Sequence, residues 1–261
     1  MILHRRMFPE NDVKTQPLLR LAILSSLGAL ALAACGDSKT DTTEEQAVIA
    51  KVAPPAGKSW SDVVAVTPEG GRVMGNPDAP IKIVEFASLT CPHCADFATE
   101  SHEEMKRDFI DTGRVSLELR NFIRDGLDLT AAAITHCAPV ERYFPLTQST
   151  FASQAQIFEA AQANPQGYEA AMKSPPSVRF QQLAKAMQLD QFYQSRGMTG
   201  EQVNACLGKV DDIQKLEDAT NEAVKKYDVR GTPTFLINGQ VTEGVATWPL
   251  MRDRLRTMGA R

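Results

Sequence analysis

The stretch Thr90-Cys91-Pro92-His93-Cys94 sets two cysteines three positions apart, with a proline and a histidine between them. A structural zinc site needs four ligands, commonly from two such pairs. This chain has no second Cys-x-x-Cys, and His93 lies between the cysteines, where it is badly placed to chelate with both. Covalent haem attachment needs a histidine directly after the second cysteine, and that position is Ala95. No metal and no cofactor are therefore expected. A permanent crosslink over so short a loop restrains the unfolded chain little. A pair of sulfurs that joins and parts is the chemistry that suits this spacing.

The flanking pattern supplies a mechanism. Ile81 to Ala87 is a β-rich, mostly apolar run, as a central strand requires. Pro92 to Thr112 spaces Phe97, Met105, Phe109 and Ile110 as an amphipathic helix ending near Gly113, and Val115 to Ile123 alternates as a strand. The pair thus falls at a strand-to-helix turn, with Cys91 at the first helical turn. The thiolate is the nucleophile, and a helix N-terminus favours negative charge. Pro92 suits a position that donates no N–H, and His93 adds positive charge or a hydrogen bond beside the sulfur. A depressed Cys91 pKa is expected, and a stabilised thiolate makes the disulfide more oxidising. Cys94, one turn further in, is expected to be less accessible and to resolve mixed disulfides.

Elsewhere, Val63–Val66 and Arg72–Met74 read as a small hairpin. From Gly126 to about Asp211 the composition is helical, with segments expected at Thr130–Cys137, Phe144–Asn164, Val178–Gln188 and Thr199–Lys209. Thr199-Gly200-Glu201-Gln202 fits a capping box. Met172, Met187 and Met198 are assigned to packing within this block. A helix over Ile213–Tyr227, a strand over Thr234–Ile237, a turn at Asn238-Gly239 and a last helix from about Trp248 complete the chain. The order β-α-β, helical block, α-β-β-α describes an α/β domain (59–125 and 212–261) interrupted by an all-helical insertion (126–211).

At the N-terminus, Lys14 and Arg20 precede 14 uncharged residues, Leu21 to Ala34. That is short of the roughly 20 needed to span a bilayer and matches an export signal over 1–34. Leu32-Ala33-Ala34-Cys35 resembles the bacterial lipobox, which implies cleavage before Cys35, its acylation and a membrane-anchored protein. Gly36 in the next position favours the outer over the inner membrane. Residues 35–58 read as a flexible tether with a mean reach of roughly 25–30 Å. The formal charge is −4, and the leader carries four basic and two acidic residues, so the chain after it stands at −4 − 2 = −6. That argues against nucleic acid as a partner. Export also permits disulfides. Cys137 and Cys206, 69 positions apart, are either buried free thiols or a bridge. A remaining even pair in an oxidising compartment favours the bridge, which would contribute on the order of 4 kcal/mol.

Glu85 to Cys94 (EFASLTCPHC), together with Arg230 to Gly239 (RGTPTFLING), resembles DsbA-like thiol:disulfide oxidoreductases of the thioredoxin superfamily, over about Val73 to Met258. The resemblance implies a thioredoxin fold with an inserted helical subdomain. It implies Cys91 as the attacking sulfur, Cys94 as its buried partner and His93 as part of the dipeptide that makes the pair oxidising. Glu85 becomes a buried acid serving the inner thiol, and Pro233 a cis-proline that leaves the backbone beside Thr232 free to pair with an extended substrate. Some relatives carry a second bridge like Cys137–Cys206. Reduced or unfolded exported proteins become the clients, in the periplasm, with reoxidation by a quinone-linked membrane partner of the DsbB type. Periplasmic oxidases of this kind have valine where Thr232 stands, and threonine there also occurs in disulfide isomerases. The rival readings are an isomerase or reductase kept reduced, and a non-enzymatic peptide-binding chaperone using the same groove.

Overall fold

The computed structural model describes residues 47–261. The signal over 1–34, the Cys35 acylation site and the first part of the tether lie outside the described residues. The strands are β1 (Val64–Val66), β2 (Arg72–Gly75), β3 (Ile81–Ala87), β4 (Val115–Asn121), β5 (Thr234–Ile237) and β6 (Gln240–Thr242). They form one sheet in the order β1-β2-β4-β3-β5-β6. Helix α1 (Pro92–Glu104) links β3 to β4, which run parallel with Ile81 opposite Val115 and Ala87 opposite Asn121. All other pairings are antiparallel.

Alternation along β3 sorts its side chains. Ile81 and Ile83 pack with Phe97 of α1 and with Trp248, Met251 and Leu255 of the last helix, while Phe86 packs on the other face with Ala223 and Leu236. Glu85 takes the parity of Ile81 and Ile83, so a carboxyl sits where the pattern calls for a hydrophobe. The Ile81-Ile83-Glu85 face of β3 is buried throughout, while the other face goes from exposed Lys82 through half-buried Val84 to buried Phe86.

Between β4 and the long helix of the second half lie α2 (Gly126–Cys137), α3 (Tyr143–Ala152), α4 (Gln154–Gln162), α5 (Pro165–Met172), α6 (Pro176–Ala186), α7 (Leu189–Gln194) and α8 (Gly200–Leu207). Then follow α9 (Val210–Tyr227), β5, β6 and α10 (Trp248–Thr257). The architecture is the mixed α/β thioredoxin fold with inserted helices. The insertion's core is continuous with the turn after β3, because Leu89, Cys91 and Cys94 belong to the same apolar cluster as Leu146, Leu183 and Tyr193.

Several helix boundaries differ from those the sequence predicts. The helix expected to run from Pro92 to Thr112 changes at Met105 into a six-residue π-helical turn, Met105–Ile110. This turn keeps Met105, Phe109 and Ile110 buried. The helix expected over Phe144–Asn164 breaks at Ser153 (φ −108°, ψ 14°), so that Gln154 starts a new helix. The segments Pro165–Met172 and Leu189–Gln194 are additional helices, the first capped by the Asn164 side chain on the Gly167 amide. Met187 and Met198 are in the core, but Met172 is 41% exposed.

Residues 49–52, within the stretch expected as tether, are tied to the domain. The Ile49 amide donates to the Gly259 carbonyl and the Val52 amide to the Thr112 carbonyl, both at 2.9 Å. Arg114 Nε donates to the Ile49 carbonyl at 2.7 Å and Trp60 Nε1 to the Val52 carbonyl at 2.8 Å. Gly113 makes this docking possible. Its φ is +73°, and a Cβ there would stand 2.7 Å from both Trp60 Nε1 and the Val52 oxygen. Gly113→Ala is therefore expected to cost more than about 1 kcal/mol. The readout is a lower urea midpoint with an unchanged slope.

Candidate functional site

The turn Ser88-Leu89-Thr90 carries the chain from β3 into α1. Cys91 is the N-cap of α1 with extended dihedrals (φ −90°, ψ 118°), and Pro92 takes the first helical position. Its carbonyl accepts the first helical bond, from Ala95 N at 3.1 Å. Cys91 and Cys94 are both unbridged and both buried. Opposite them, the Thr232–Pro233 peptide is cis. Cys91 Sγ donates to the Thr232 carbonyl at 3.2 Å. The sulfur pair and the proline loop, about 140 residues apart in sequence, thus form one site, as the resemblance implied.

The two sulfurs are driven apart electrically. A hydrogen bond from the Cys94 thiol, opposed by burial and aided by the Thr232 side chain and the amides of Cys94 and His93, lowers the Cys91 pKa to about 5. Burial, the hydrogen bond given to Cys91 and the Glu85 carboxylate all push the Cys94 thiol far up. Glu85 is 3% exposed. Burial first, then the Cys91 charge, raises its pKa to about 8. Cys91 therefore loses its proton before Glu85 does, so the thiolate acts on a neutral acid and meets no repulsion in return. At neutral pH the site holds one negative charge, on Cys91, with protons on Cys94 and Glu85.

His93 does not touch the sulfur through its ring. Its side chain is 81% exposed and lies 3.9 Å from Asp96, so its contribution inside the site is its backbone amide. Thr232 and Pro233 are half-buried at the rim. Cys137 and Cys206 are bonded to each other (S–S 2.07 Å) within the insertion. A surface depression of about 790 Å3 beside that bridge, lined in part by Arg72, His136 and Lys209, contains none of the catalytic candidates. Among the described residues no cluster of histidine, cysteine and acidic side chains could hold a metal ion.

Two residues that the sequence did not single out grip the turn from the insertion. Asp128 of α2 accepts from Ser88 Oγ at 2.6 Å, from the Leu89 amide at 2.8 Å and from the Arg124 amide at 3.1 Å. Gln154, the first residue of α4, donates from Nε2 to the carbonyls of Leu89 (2.9 Å) and Cys91 (3.1 Å). Asp125 adds a bond from Thr90 Oγ1 at 2.8 Å. Burial raises the Asp128 pKa to about 7, opposed by those three donors. The contacts span 35 to 65 positions, so no local pattern signals them. The one sequence cue is the Asp125-Gly126-Leu127-Asp128 helix start, with Asp125 capping the Asp128 amide.

A sequence profile of the family described as Thioredoxin matches residues 67–255. The crystal structure of a protein-disulfide isomerase from Novosphingobium aromaticivorans superposes with a TM-score of 0.66 at 34% identity, over 70% of this chain and 94% of that one. Wolbachia pipientis alpha-DsbA1 shares the fold (TM-score 0.59, 23% identity, 74% of this chain and 92% of that one). A relative from Rickettsia bellii named "Putative protein-disulfide oxidoreductase" is 29% identical over 175 residues, 67% of this chain. The chain spans 60% of that relative's length and 57% of the similarly named protein of Rickettsia prowazekii. The chain belongs to the thioredoxin family, as a DsbA-like member with a helical insertion.

In the reduced protein, absorbance at 240 nm is expected to rise with a midpoint near pH 5. Gln154→Leu removes both bonds at nearly constant volume and leaves the Cys91 carbonyl with the Ala95 amide alone. It is expected to move that midpoint upward by about one pH unit while the protein still unfolds cooperatively.

Proposed function

We propose that this chain is an exported protein-disulfide oxidoreductase that passes the Cys91–Cys94 disulfide to reduced client proteins. The observation that carries the reading is the position of Cys91 Sγ at the helix N-cap, 3.2 Å from the Thr232 carbonyl of the cis-proline loop, a setting that lowers its pKa. A sulfur stable as an anion is a good leaving group and a poor partner in a bond. In the proposed cycle a client thiolate attacks Cys91 Sγ of the oxidised pair. The bond to Cys94 breaks, and the electron pair leaves on Cys94, which takes a proton from Glu85. A second client thiolate then attacks the client sulfur of the mixed disulfide, and Cys91 departs as the thiolate. The client gains a disulfide and the enzyme is left reduced. His93 contributes its amide to the Cys91 anion. Thr232 and Pro233 offer backbone to an extended client, pairing of a kind that gives affinity with little sequence preference. The Cys137–Cys206 bridge is read as structural.

Location and partners belong to the same proposal. The lipobox-like Leu32–Cys35 supports a periplasmic protein held by a lipid on Cys35, with the outer membrane favoured by Gly36. Among the described residues no helix is long and apolar enough to cross a membrane. A quinone-linked membrane oxidase of the DsbB type would restore the disulfide.

Two observations favour an isomerase as the second reading. Threonine, not valine, stands before the cis-proline, with its carbonyl 3.2 Å from Cys91 Sγ, and the Novosphingobium relative is named an isomerase. The two readings separate in the redox equilibrium with glutathione and in assays of oxidative refolding against insulin reduction.

The pH dependence has a fixed sign. The folded Cys91 pKa of about 5 lies below the free value of 9.0. The stabilisation of the reduced form is therefore full above about 9 and is lost as pH falls through about 5. The disulfide form has no such ionisation. At fixed glutathione the reduced fraction's equilibrium constant is expected to rise up to about tenfold per pH unit above pH 5, and to flatten below it. A flat profile from pH 5 to 8 would refute the donor role. Glu85→Gln should leave the Cys91 midpoint in place. In stopped-flow measurements it should slow formation of the mixed disulfide, the step in which Cys94 takes its proton, by at least roughly tenfold.

A further inference from the structure

Three buried side-chain polar atoms among the described residues have no hydrogen-bond partner: Glu85 Oε1, Thr147 Oγ1 and Asn121 Nδ2. Two of them, on Glu85 and Thr147, belong to residues lining one cavity of about 620 Å3 between α1, α3 and the sheet. Glu85 is 3% and Thr147 2% exposed. A buried polar atom left unpaired loses the hydrogen bonds it makes in water, so two on one cavity mark a place where something polar belongs.

The rest of the lining describes that occupant. Phe97, Phe144, Phe151, Met105 and Leu117 give the cavity apolar, largely aromatic walls, and His102, Lys106 and Gln148 contribute polar groups. The volume falls within the roughly 300–1,000 Å3 of small-molecule sites. Water alone would satisfy Glu85 and Thr147 but would leave the aromatic walls wet. An anionic head would meet no cation at this buried acid, and a cationic head would have to ionise a carboxyl that burial keeps protonated near neutral pH. A protonated carboxyl and a hydroxyl lining one cavity can both give and accept a hydrogen bond, which suits a neutral hydroxyl or carbonyl.

We propose that this cavity binds a small neutral amphiphile, an apolar body with one hydroxyl or carbonyl head, the head held by Glu85 and Thr147 and the body packed against Phe97, Phe144 and Phe151. Such a ligand would occupy the carboxyl that the proposed cycle uses to protonate Cys94, which would couple the cavity to the dithiol. The binding itself does not depend on that cycle.

The test uses 4-hexylphenol as probe and isothermal titration of the reduced full chain. Saturable binding of one molecule per chain is expected. Thr147→Val, which keeps the shape and removes the hydroxyl, should weaken it by about tenfold. Ala98→Phe, which fills the cavity from α1, should abolish it. Absence of saturation up to the solubility limit of the probe would overturn the proposal, and so would equal affinity in wild type and Thr147→Val. Should Ala98→Phe fail to fold, the Thr147→Val comparison decides alone. Saturable, Thr147-dependent binding to a protein that does not exchange disulfides would retain this site and discard the oxidoreductase reading.

Discussion

A single sulfur placed where a helix begins organises this molecule. Cys91 is the N-cap of α1, so its sulfur stands at the helix end whose unpaired amides favour negative charge. Pro92 has no N–H at the first helical position, and the amides of His93 and Cys94 help to lower the Cys91 pKa. Cys94 is held a turn deeper, where burial keeps its proton on. The asymmetry of the pair thus follows from three residues of helix geometry, with Glu85 beneath them supplying an ionisable group on a strand face that is otherwise apolar.

That geometry is only as firm as the turn that leads into it, and the turn is held from outside the thioredoxin-like part. Asp125 and Asp128 of α2 and Gln154 of α4 take up the hydroxyls, the amide and the carbonyls that a tight turn leaves free. The inserted helices therefore hold the turn that positions Cys91. The break at Ser153 comes directly before Gln154, the residue whose side chain bonds the Leu89 and Cys91 carbonyls.

The sheet and the dithiol were legible because their signals are local. The Ile81–Ala87 run, the Cys-x-x-Cys after it and the Thr-Pro before the Thr234–Ile237 strand each lie within ten residues. The cis peptide at Pro233 came from family resemblance, since local sequence alone gives it low odds. What the sequence hid depends on distant partners. Gln154 reads as one more polar helix residue until Leu89 and Cys91 stand beside it. Thr147 reads as a weak helix former until it is found lining a cavity with Glu85, its buried hydroxyl without a partner. The short helices at Pro165 and Leu189 hide for another reason: at eight and six residues they are too brief for a 3.6-residue period to establish itself.

The docked segment at residues 49–52 has a consequence for orientation. It is fastened to Thr112, Arg114 and Gly259. Thr112 and Arg114 sit where β4 starts, and β4 starts opposite the first residue of β3. Cys91 lies past the last residue of β3, so a strand of seven residues, about 20 Å, separates the two ends. Segment 49–52 thus meets the domain at one pole of the sheet, and the Cys91–Cys94 pair lies near the other, so a substitution at Gly113 that loosens the segment acts a whole strand away from the sulfurs.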